Sequence, residues 1–333
     1  MNEGPWRITF DTNPDSCNIH CIMCEEHSGY RKEKRPGIRT MDPNIISEVI
    51  ANASSHGLKE IIPSTMGEPL LYQHFDTLLE MADKHNLKIN LTTNGTFPIR
   101  GVEKWGRQIL PLASDIKVSI NGSTPNINES IMKGVDHLQL LENIKTLLGI
   151  RDDVRAKGIN HPTITFQVTF MKQNLNDLKC LLQLAIDLQA DRFKGHHLWI
   201  TWPELEDQSL TGSVQSRIEW NNAVAEMEEI AGGKIGMANV STVPTDNDST
   251  MLPEKYECPF AGKEAWISWD GTFNVCCAPD ELRKKFGYFG NVRDTPFMDL
   301  WRSEKYQDFI RKAGRRGVCR NCNMRIPPTG DGI

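Results

Sequence analysis

Short apolar runs alternate with longer amphipathic stretches along the first 230 residues of this chain. Apolar β-branched and aromatic runs predict strands, whereas apolar residues spaced three to four apart predict helices. The predicted strands are residues 6–10, 59–63, 88–91, 115–120, 163–170 and 192–200. The predicted helices are residues 44–53, 75–85, 102–110, 138–157, 175–188 and 215–230. A strand followed each time by a helix predicts an α/β fold with a mostly parallel sheet, here a partial (β/α)6 barrel.

The pattern changes after residue 231. Residues 232–257 are rich in Gly, Ser, Thr, Asn and Asp, which is typical of a connector. Asp270-Gly271 then separates two β-rich runs, which predicts a hairpin. We therefore divide the chain into a core at 1–231, a connector at 232–257 and a small C-terminal domain at 258–333.

Composition narrows the classes of partner. The chain is 39% hydrophobic and 24% charged, as folded proteins are, and its formal net charge is −5. A protein that binds nucleic acid is usually basic, so we expect no nucleic-acid partner. We find neither a signal peptide nor an apolar run of about 18 residues, and we therefore expect no membrane partner and a cytoplasmic location.

Nine cysteines in a chain of this length favour metal or cluster binding over a disulfide framework. Cys17, Cys21 and Cys24 follow the first predicted strand with the spacing CxxxCxxC. Three thiolates on one loop leave a coordination position open, as an iron–sulfur cluster with one free iron requires. The alternative is a structural zinc site completed by His20 or His27.

This motif, placed after the first strand of six βα units, resembles that of the radical S-adenosylmethionine (SAM) superfamily. The resemblance implies a [4Fe-4S] cluster whose free iron binds SAM, and reductive cleavage of SAM to a 5′-deoxyadenosyl radical. It also implies a flavodoxin- or ferredoxin-type electron donor. The family often has an aromatic residue just before the third cysteine, where this chain has Met23.

Further positions resemble the SAM contacts of that family. Residues 64–69 look like its Gly-Gly-Glu motif, with Met66 in place of the first glycine, and there a carboxylate can pair with the ammonium of SAM. Other polar residues close the third, fourth and fifth strands, where ligands of parallel βα folds bind. The cofactor-binding residues expected in this way are Met23, Gly67, Glu68, Thr93, Asn94, Ser119, Asn121 and Gln167, with Asn174 as a weaker match.

A second set of cysteines lies near the carboxyl terminus. Cys258, Cys276 and the pair Cys319 and Cys322, with Gly271 before Cys276, resemble the Twitch extension, a shortened relative of the SPASM domain. The resemblance implies one auxiliary [4Fe-4S] cluster held by these four cysteines. A zinc ribbon is the alternative, because four thiolates with a CxxC pair also suit tetrahedral zinc.

The remaining candidates are less specific. Cys180 is expected to be a buried helical thiol, and Cys277 is expected to point away from Cys276 by strand alternation, either packing in the core or donating hydrogen to a substrate radical. Lys194 and His196 share one face of the sixth strand and are candidate catalytic residues, while His197 and Trp199 share the other face. Cavity-facing or solvated positions are expected for Glu25, Glu26 and His27, and surface positions for Glu204 and Asp207.

The cysteine spacing is similar to that of the butirosin-pathway dehydrogenase group, which implies oxidation of a secondary alcohol in a small polyol, aminocyclitol or aminosugar. In this reaction the auxiliary cluster accepts the second electron. The first strand begins near Trp6, leaving no room for an amino-terminal peptide-recognition module, which also favours a small substrate. The alternatives are maturation or epimerisation of a ribosomal peptide, with Cys277 returning hydrogen, and a non-enzymatic electron-transfer or zinc-binding protein.

Overall fold

The computed structural model describes residues 4–33, 37–63, 66–245, 256–278, 280–314, 317–320, 322, 324 and 325. Strands and helices alternate through most of this length. The strands are β1 Arg7–Phe10, β2 His20–Cys21, β3 Glu60–Pro63, β4 Lys88–Thr93, β5 Ala113–Ser119, β6 Met132–Lys133, β7 Thr163–Phe170, β8 Arg192–His197, β9 Gly236–Ala238, β10 Glu264–Ile267 and β11 Phe273–Asn274. The α-helices are α1 Pro43–Ser54, α2 Phe75–Lys84, α3 Gly101–Ile109, α4 Pro125–Ile131, α5 His137–Ala156, α6 Lys172–Leu175, α7 Leu178–Asp187, α8 Val214–Ala231, α9 Asp280–Arg283, α10 Phe297–Arg302, α11 Glu304–Arg311 and α12 Gly317–Arg320.

Nine of these strands form one sheet in the order β11-β10-β1-β3-β4-β5-β7-β8-β9. The pairs from β1 to β8 are all parallel, so the predicted α/β fold with six core strands is confirmed. Parallel neighbours place all their carboxyl ends at one edge of the sheet, where loops can assemble a ligand site.

The two faces of the core strands differ in chemistry. Ile8, Ile61, Ile116, Phe166 and Phe193 are fully buried on the outer face, which packs against the helices. The positions that alternate with them are largely polar and line the inner face of the curved sheet. Because parallel strands buried on both faces are usually apolar throughout, the polar inner face marks the interior of the barrel as a place for a polar ligand.

Local sequence explains where several helices begin. The Asp42 side chain accepts a hydrogen bond from Asn44 N at the start of α1, where Pro43 occupies the first turn. The helix predicted at 175–188 begins later, because α7 starts at Leu178 and Leu175 ends the separate short helix α6. The break falls at Asn176 and Asp177, and the Asp177 carboxylate accepts a hydrogen bond from Ser123 N, 2.6 Å away, in place of capping α7.

The carboxyl-terminal region shares the main sheet. The predicted hairpin is confirmed, since β10 and β11 pair antiparallel around Gly271, whose φ of +89° suits glycine. Strand β10 also pairs in parallel with β1, Ile8 opposite Ala265, which the sequence pattern does not reveal. Strand β9, at Gly236–Ala238, lies within the predicted connector and pairs with β8. In the described ranges, no helix has the length and apolar content needed to cross a bilayer.

Candidate active site

The first three cysteines lie on the loop that leaves β1. The loop is anchored by the antiparallel pairing of β2 with β6 and by a 3.1 Å hydrogen bond from Cys24 N to Cys21 O. Burial raises the pKa of Cys24 to about 11 and that of Cys21 further, and the thiols of Cys17 and Cys24 add to the shift at Cys21. Crowded, partly buried thiols of this kind suit a cationic metal centre, because the metal stabilises the thiolates that burial disfavours.

Neighbouring N–H groups point at this thiol set. His27 N lies 3.3 Å from Cys24 Sγ, and Asn94 Nδ2 lies 3.8 Å from Cys17 Sγ. Donors around ligand sulfurs orient them and tune the metal. The two histidines of the zinc alternative each direct a ring nitrogen at a backbone carbonyl, His27 at Pro14 O and His20 at His27 O.

Gly67 and Glu68 attach the end of β3 to the cysteine loop. At Gly67, φ is +72° and a Cβ would lie 2.4 Å from Asn13 O, so only glycine fits. Glu68 N donates to Ser16 O at 2.7 Å. The segment that contains Gly67 and Glu68 therefore packs against residues 13–16, which directly precede Cys17. Ser64 and Thr65, from the same predicted motif, lie outside the described residues.

The Glu68 carboxylate is buried and accepts three hydrogen bonds. The donors are Thr93 Oγ1 at 2.8 Å, Asn94 N at 2.7 Å and Leu70 N at 3.2 Å. Burial still raises its pKa, to about 7. Glu68 therefore ties the end of β3 to the end of β4, and it places Asn94 next to Cys17.

The polar residues that end β5 and β7 divide into two groups. Asn121 Oδ1 accepts from Thr169 N, and Asn174 Nδ2 donates to the carbonyl of Asn121, so these two side chains hold the strand ends together. Ser119 and Gln167 are opposite each other in register on the inner face. Of the four, Ser119 and Gln167 are therefore better placed to meet a ligand inside the barrel.

Strand β8 places its two candidates inside the barrel. Lys194 is opposite Gln167 and His196 is opposite Thr169, both on the inner face. Gln167 Nε2 lies 3.3 Å from His196 Nδ1. Burial, with a contribution from Lys194, lowers the pKa of His196 to about 4, so its imidazole is neutral near pH 7. His197 lies on the outer face, with its ring 4.7 Å from that of Trp220.

Five thiols gather at the carboxyl-terminal site. Burial raises the pKa of Cys258 and raises that of Cys322 to about 11, and in both cases the nearby thiols of Cys276 and Cys319 add to the effect. The prediction for the neighbouring Cys277 was wrong in its geometry, because its thiol lies within hydrogen-bond reach of the Cys276 thiol and close to Cys258 and Cys322. Strand β11 ends at Asn274, so strand alternation does not extend to Cys277.

Residues 14–185 match the family model described as the radical SAM superfamily, which is more than half of the chain. The protein belongs to the radical SAM superfamily. Residues 258–323 match the SPASM model, described as an iron-sulfur cluster-binding domain, and they include all five carboxyl-terminal thiols. This radical SAM protein therefore uses a [4Fe-4S] cluster with SAM and further iron–sulfur in its SPASM region, and the family models do not support the two zinc alternatives.

Several known proteins resemble this radical SAM chain. A protein of Pyrococcus furiosus named tungsten-containing aldehyde ferredoxin oxidoreductase cofactor-modifying protein is 24% identical over 327 residues, 93% of this chain and 85% of its own. SuiB of Streptococcus suis bound to SAM has a TM-score of 0.68 at 15% identity, covering 96% of this chain and 72% of SuiB. BtrN with SAM and 2-DOIA has a TM-score of 0.51 at 16% identity, covering 97% and 94%.

The thiols fit the groups that the family implies. Cys17, Cys21 and Cys24 would hold the SAM cluster, and the carboxyl-terminal thiols would hold auxiliary iron–sulfur. Met23 lies against a small apolar cluster of Ile131, Met171, Leu198 and Leu205. Trp202, packed on the same cluster, donates its indole N–H to Cys24 O at 3.0 Å. The segment after β8 therefore covers the cysteine loop of the radical SAM site, which sequence reasoning missed.

Three weaker predictions of side-chain environment have clear outcomes. Cys180 is exposed rather than buried, because α7 buries Leu178, Leu181 and Leu182 on its opposite face. The Glu26 carboxylate is neither solvated nor directed at a cavity, since it is buried and pairs with Arg31 at 2.6 Å. The Glu26 carboxylate also pairs with Arg39. The surface positions predicted for Glu204 and Asp207 are confirmed, because both residues are exposed.

Proposed function

We propose that this radical SAM enzyme oxidises a secondary alcohol of a small polar molecule held inside its barrel. The observation that carries the proposal is the polar inner face, which extends between the two edges of the sheet towards which the cysteine sets lie. Strand β1 runs towards the Cys17 loop at the carboxyl edge, whereas β11 runs back antiparallel to β10, so that Cys276, two residues after β11, lies towards the opposite edge. A substrate bound on this face would lie between the source of the radical and a second redox centre.

When reduced by a flavodoxin- or ferredoxin-type donor, the SAM cluster would supply a 5′-deoxyadenosyl radical, and auxiliary iron–sulfur would supply an electron acceptor. The protein's own part is to place the carbinol carbon and to remove the hydroxyl proton. Ser119 and Gln167 would contact SAM or the substrate from the inner face. In the proposed oxidation the alcohol loses a hydrogen atom, a proton and an electron.

His196 is the described inner-face residue best suited to accept the proton. Its imidazole is neutral because burial and Lys194 lower its pKa to about 4. The side chain also has a fixed direction, because Gln167 lies within hydrogen-bond distance of its Nδ1. A neutral imidazole has a nitrogen lone pair that can accept a proton, although burial and the neighbouring Lys194 make His196 a weak base.

Two relatives support a small substrate. The Pyrococcus furiosus relative is named for modifying a cofactor, and the BtrN structure contains the small molecule 2-DOIA. Modification of a ribosomal peptide, by epimerisation or cross-linking, is the second candidate. SuiB bound to the precursor peptide SuiA favours this candidate, because its TM-score of 0.67 exceeds the 0.51 of BtrN.

Deuterium transfer tests the proposal with mixtures of natural molecules in place of one chosen substrate. Extract from cells grown on deuterated medium is separated into a small-molecule fraction and a peptide fraction. Each is given to the anaerobic, reconstituted enzyme with SAM and a reductant. Oxidation of a small alcohol predicts deuterated deoxyadenosine from the small-molecule fraction and a carbonyl product. Deuterium transfer from the peptide fraction alone would instead support the peptide maturase.

A further inference from the structure

The inner face of the sheet carries seven charged side chains that interact electrostatically. The cations are Arg7, Lys117, Arg192 and Lys194, and the carboxylates are Glu60, Asp115 and Glu264. We refer to these seven residues as the interior charge cluster. Charges inside a protein usually pair with opposite charges or hydrogen-bond partners, because removal from water is costly.

Each carboxylate of this cluster has partners within the protein. Arg7 pairs with Glu60 and, at 2.9 Å, with Glu264. Asp115 Oδ1 accepts hydrogen bonds from the hydroxyls of Thr163 and Thr165, each at 2.7 Å. The negative charges are therefore already compensated or hydrogen-bonded within the protein.

Three of the four cations also have partners. Arg7 holds its two glutamates. Lys117 donates to Asn90 Oδ1, and its Nζ lies 3.9 Å from Asp115. Arg192 donates to Thr163 Oγ1 at 2.7 Å. Lys194 differs, because within the described part of the chain its ammonium has neither a hydrogen bond nor an ion pair.

The surroundings of Lys194 suit a ligand. The side chain is half-buried, whereas Lys117 is only 8% exposed, so Lys194 is the more accessible of the two inner-face lysines. Its neighbours on the same face are Gln167, opposite it on β7, and His196, two residues further along β8. His196 is neutral near pH 7 and so provides no competing charge. Burial lowers the pKa of Lys194, and Asp115 only partly opposes that effect.

We infer that Lys194 binds an anionic oxygen group of the substrate, a phosphate or a carboxylate. The inference rests on the proposed function in taking the barrel interior as the substrate site. An oxyanion would supply the partner that Lys194 lacks, through a charge-assisted hydrogen bond. It also changes the expected substrate class, because an aminocyclitol would bring a second cation next to Lys194. The oxidised alcohol then belongs to an acidic molecule.

Anion binding to the reconstituted enzyme with SAM bound tests this inference. Inorganic phosphate and malonate serve as probes of the two oxyanions, and putrescine serves as a cationic probe of similar size. Anaerobic calorimetry should show binding of at least one anion in preference to putrescine. Lys194→Gln should weaken that binding about tenfold or more, and Lys194→Arg should largely retain it. The exposed Lys145→Gln, measured in parallel, should bind as the unaltered protein does.

Four results would overturn the inference. Two concern the unaltered protein and do not depend on a variant folding: preference for putrescine, and no anion binding. The third is equal anion binding by Lys194→Gln. The fourth is an equal loss of SAM affinity in Lys194→Gln, which would assign the ammonium to the carboxylate of SAM. Anion binding without deuterium transfer would contradict the proposed oxidation alone, and deuterium transfer without anion binding would contradict this inference alone.

Discussion

The two cysteine sets of this protein are built in different ways. Cys17, Cys21 and Cys24 occupy eight consecutive residues of one loop, stabilised by β2, β6 and the Glu68–Asn94 contact. The carboxyl-terminal set brings together three segments, at Cys258, at Cys276 with Cys277, and at the CxxC pair. The first site presents three thiols, whereas the second presents five.

This difference bears on what each centre can do. Three thiols leave one iron of a four-iron cluster free to bind SAM, so the first site is suited to chemistry on a bound molecule. The predicted ligands of the second site match a four-iron cluster completely, with Cys277 in excess. A fully ligated cluster is suited to electron transfer. The predictions below test this division of roles, from the largest expected effect to the smallest.

Removal of the first site should have the largest effect. Replacing Cys17, Cys21 and Cys24 together by Ala should abolish deoxyadenosine formation, because no iron is then open to SAM. The unaltered protein should hold about eight irons, and the variant about four. Iron analysis and chromatography of the reaction check both numbers. Persistent deoxyadenosine in this variant would show that the SAM site lies elsewhere.

Removal of a ligand from the second site should have a more selective effect. Cys258→Ala should lose the auxiliary iron, leaving about four irons per chain, yet should still cleave SAM. Carbonyl product should disappear, because the electron acceptor is missing. Cys180→Ala is the matched control, since that thiol is exposed on α7. Full product formation without auxiliary iron would contradict the proposed role of the second site in electron transfer.

Glu68→Gln should weaken SAM binding while leaving iron content nearly unchanged. The amide would place N–H groups where the carboxylate now accepts hydrogen bonds from Asn94 N and Thr93, which should displace the segment below the Cys17 loop. The predicted charge-assisted hydrogen bond between the Glu68 carboxylate and the ammonium of SAM is worth about 1.5–3 kcal/mol. Its loss should lower the affinity for SAM roughly tenfold to hundredfold. Equilibrium binding of SAM measures this, with the exposed Glu103→Gln as control. Unchanged affinity would remove Glu68 from the SAM site.

Cys277→Ala should have the smallest effect. If Cys276 is the ligand and the reaction is a net oxidation, iron content and carbonyl product should remain nearly normal. If the enzyme is instead an epimerase that uses this thiol, the variant should form deoxyadenosine with little product. In deuterated water the unaltered enzyme would then place one deuterium on the reacting carbon. That label, lost in Cys277→Ala, would favour hydrogen return over oxidation.

Some features of the fold follow from short-range pattern alone. The core strands appear close to their predicted positions because each combines an apolar outer face with flanking turn residues. Strand β9 and the β2–β6 pair are too short for such a pattern, with two or three residues per strand. Their stability comes from the neighbouring strands, so nothing in their own sequence marks them.

For the candidate site, the sequence by itself determined the CxxxCxxC loop, the terminal CxxC pair and the run of polar strand ends, because each depends on residues close in the chain. Only the tertiary structure decided which face of β8 lines the barrel, and hence that Lys194 and His196 lie inside it. The same is true of Cys277, whose position depends on where β11 ends. Distant segments set these environments, because the partners of a side chain are fixed only when separate strands pack together.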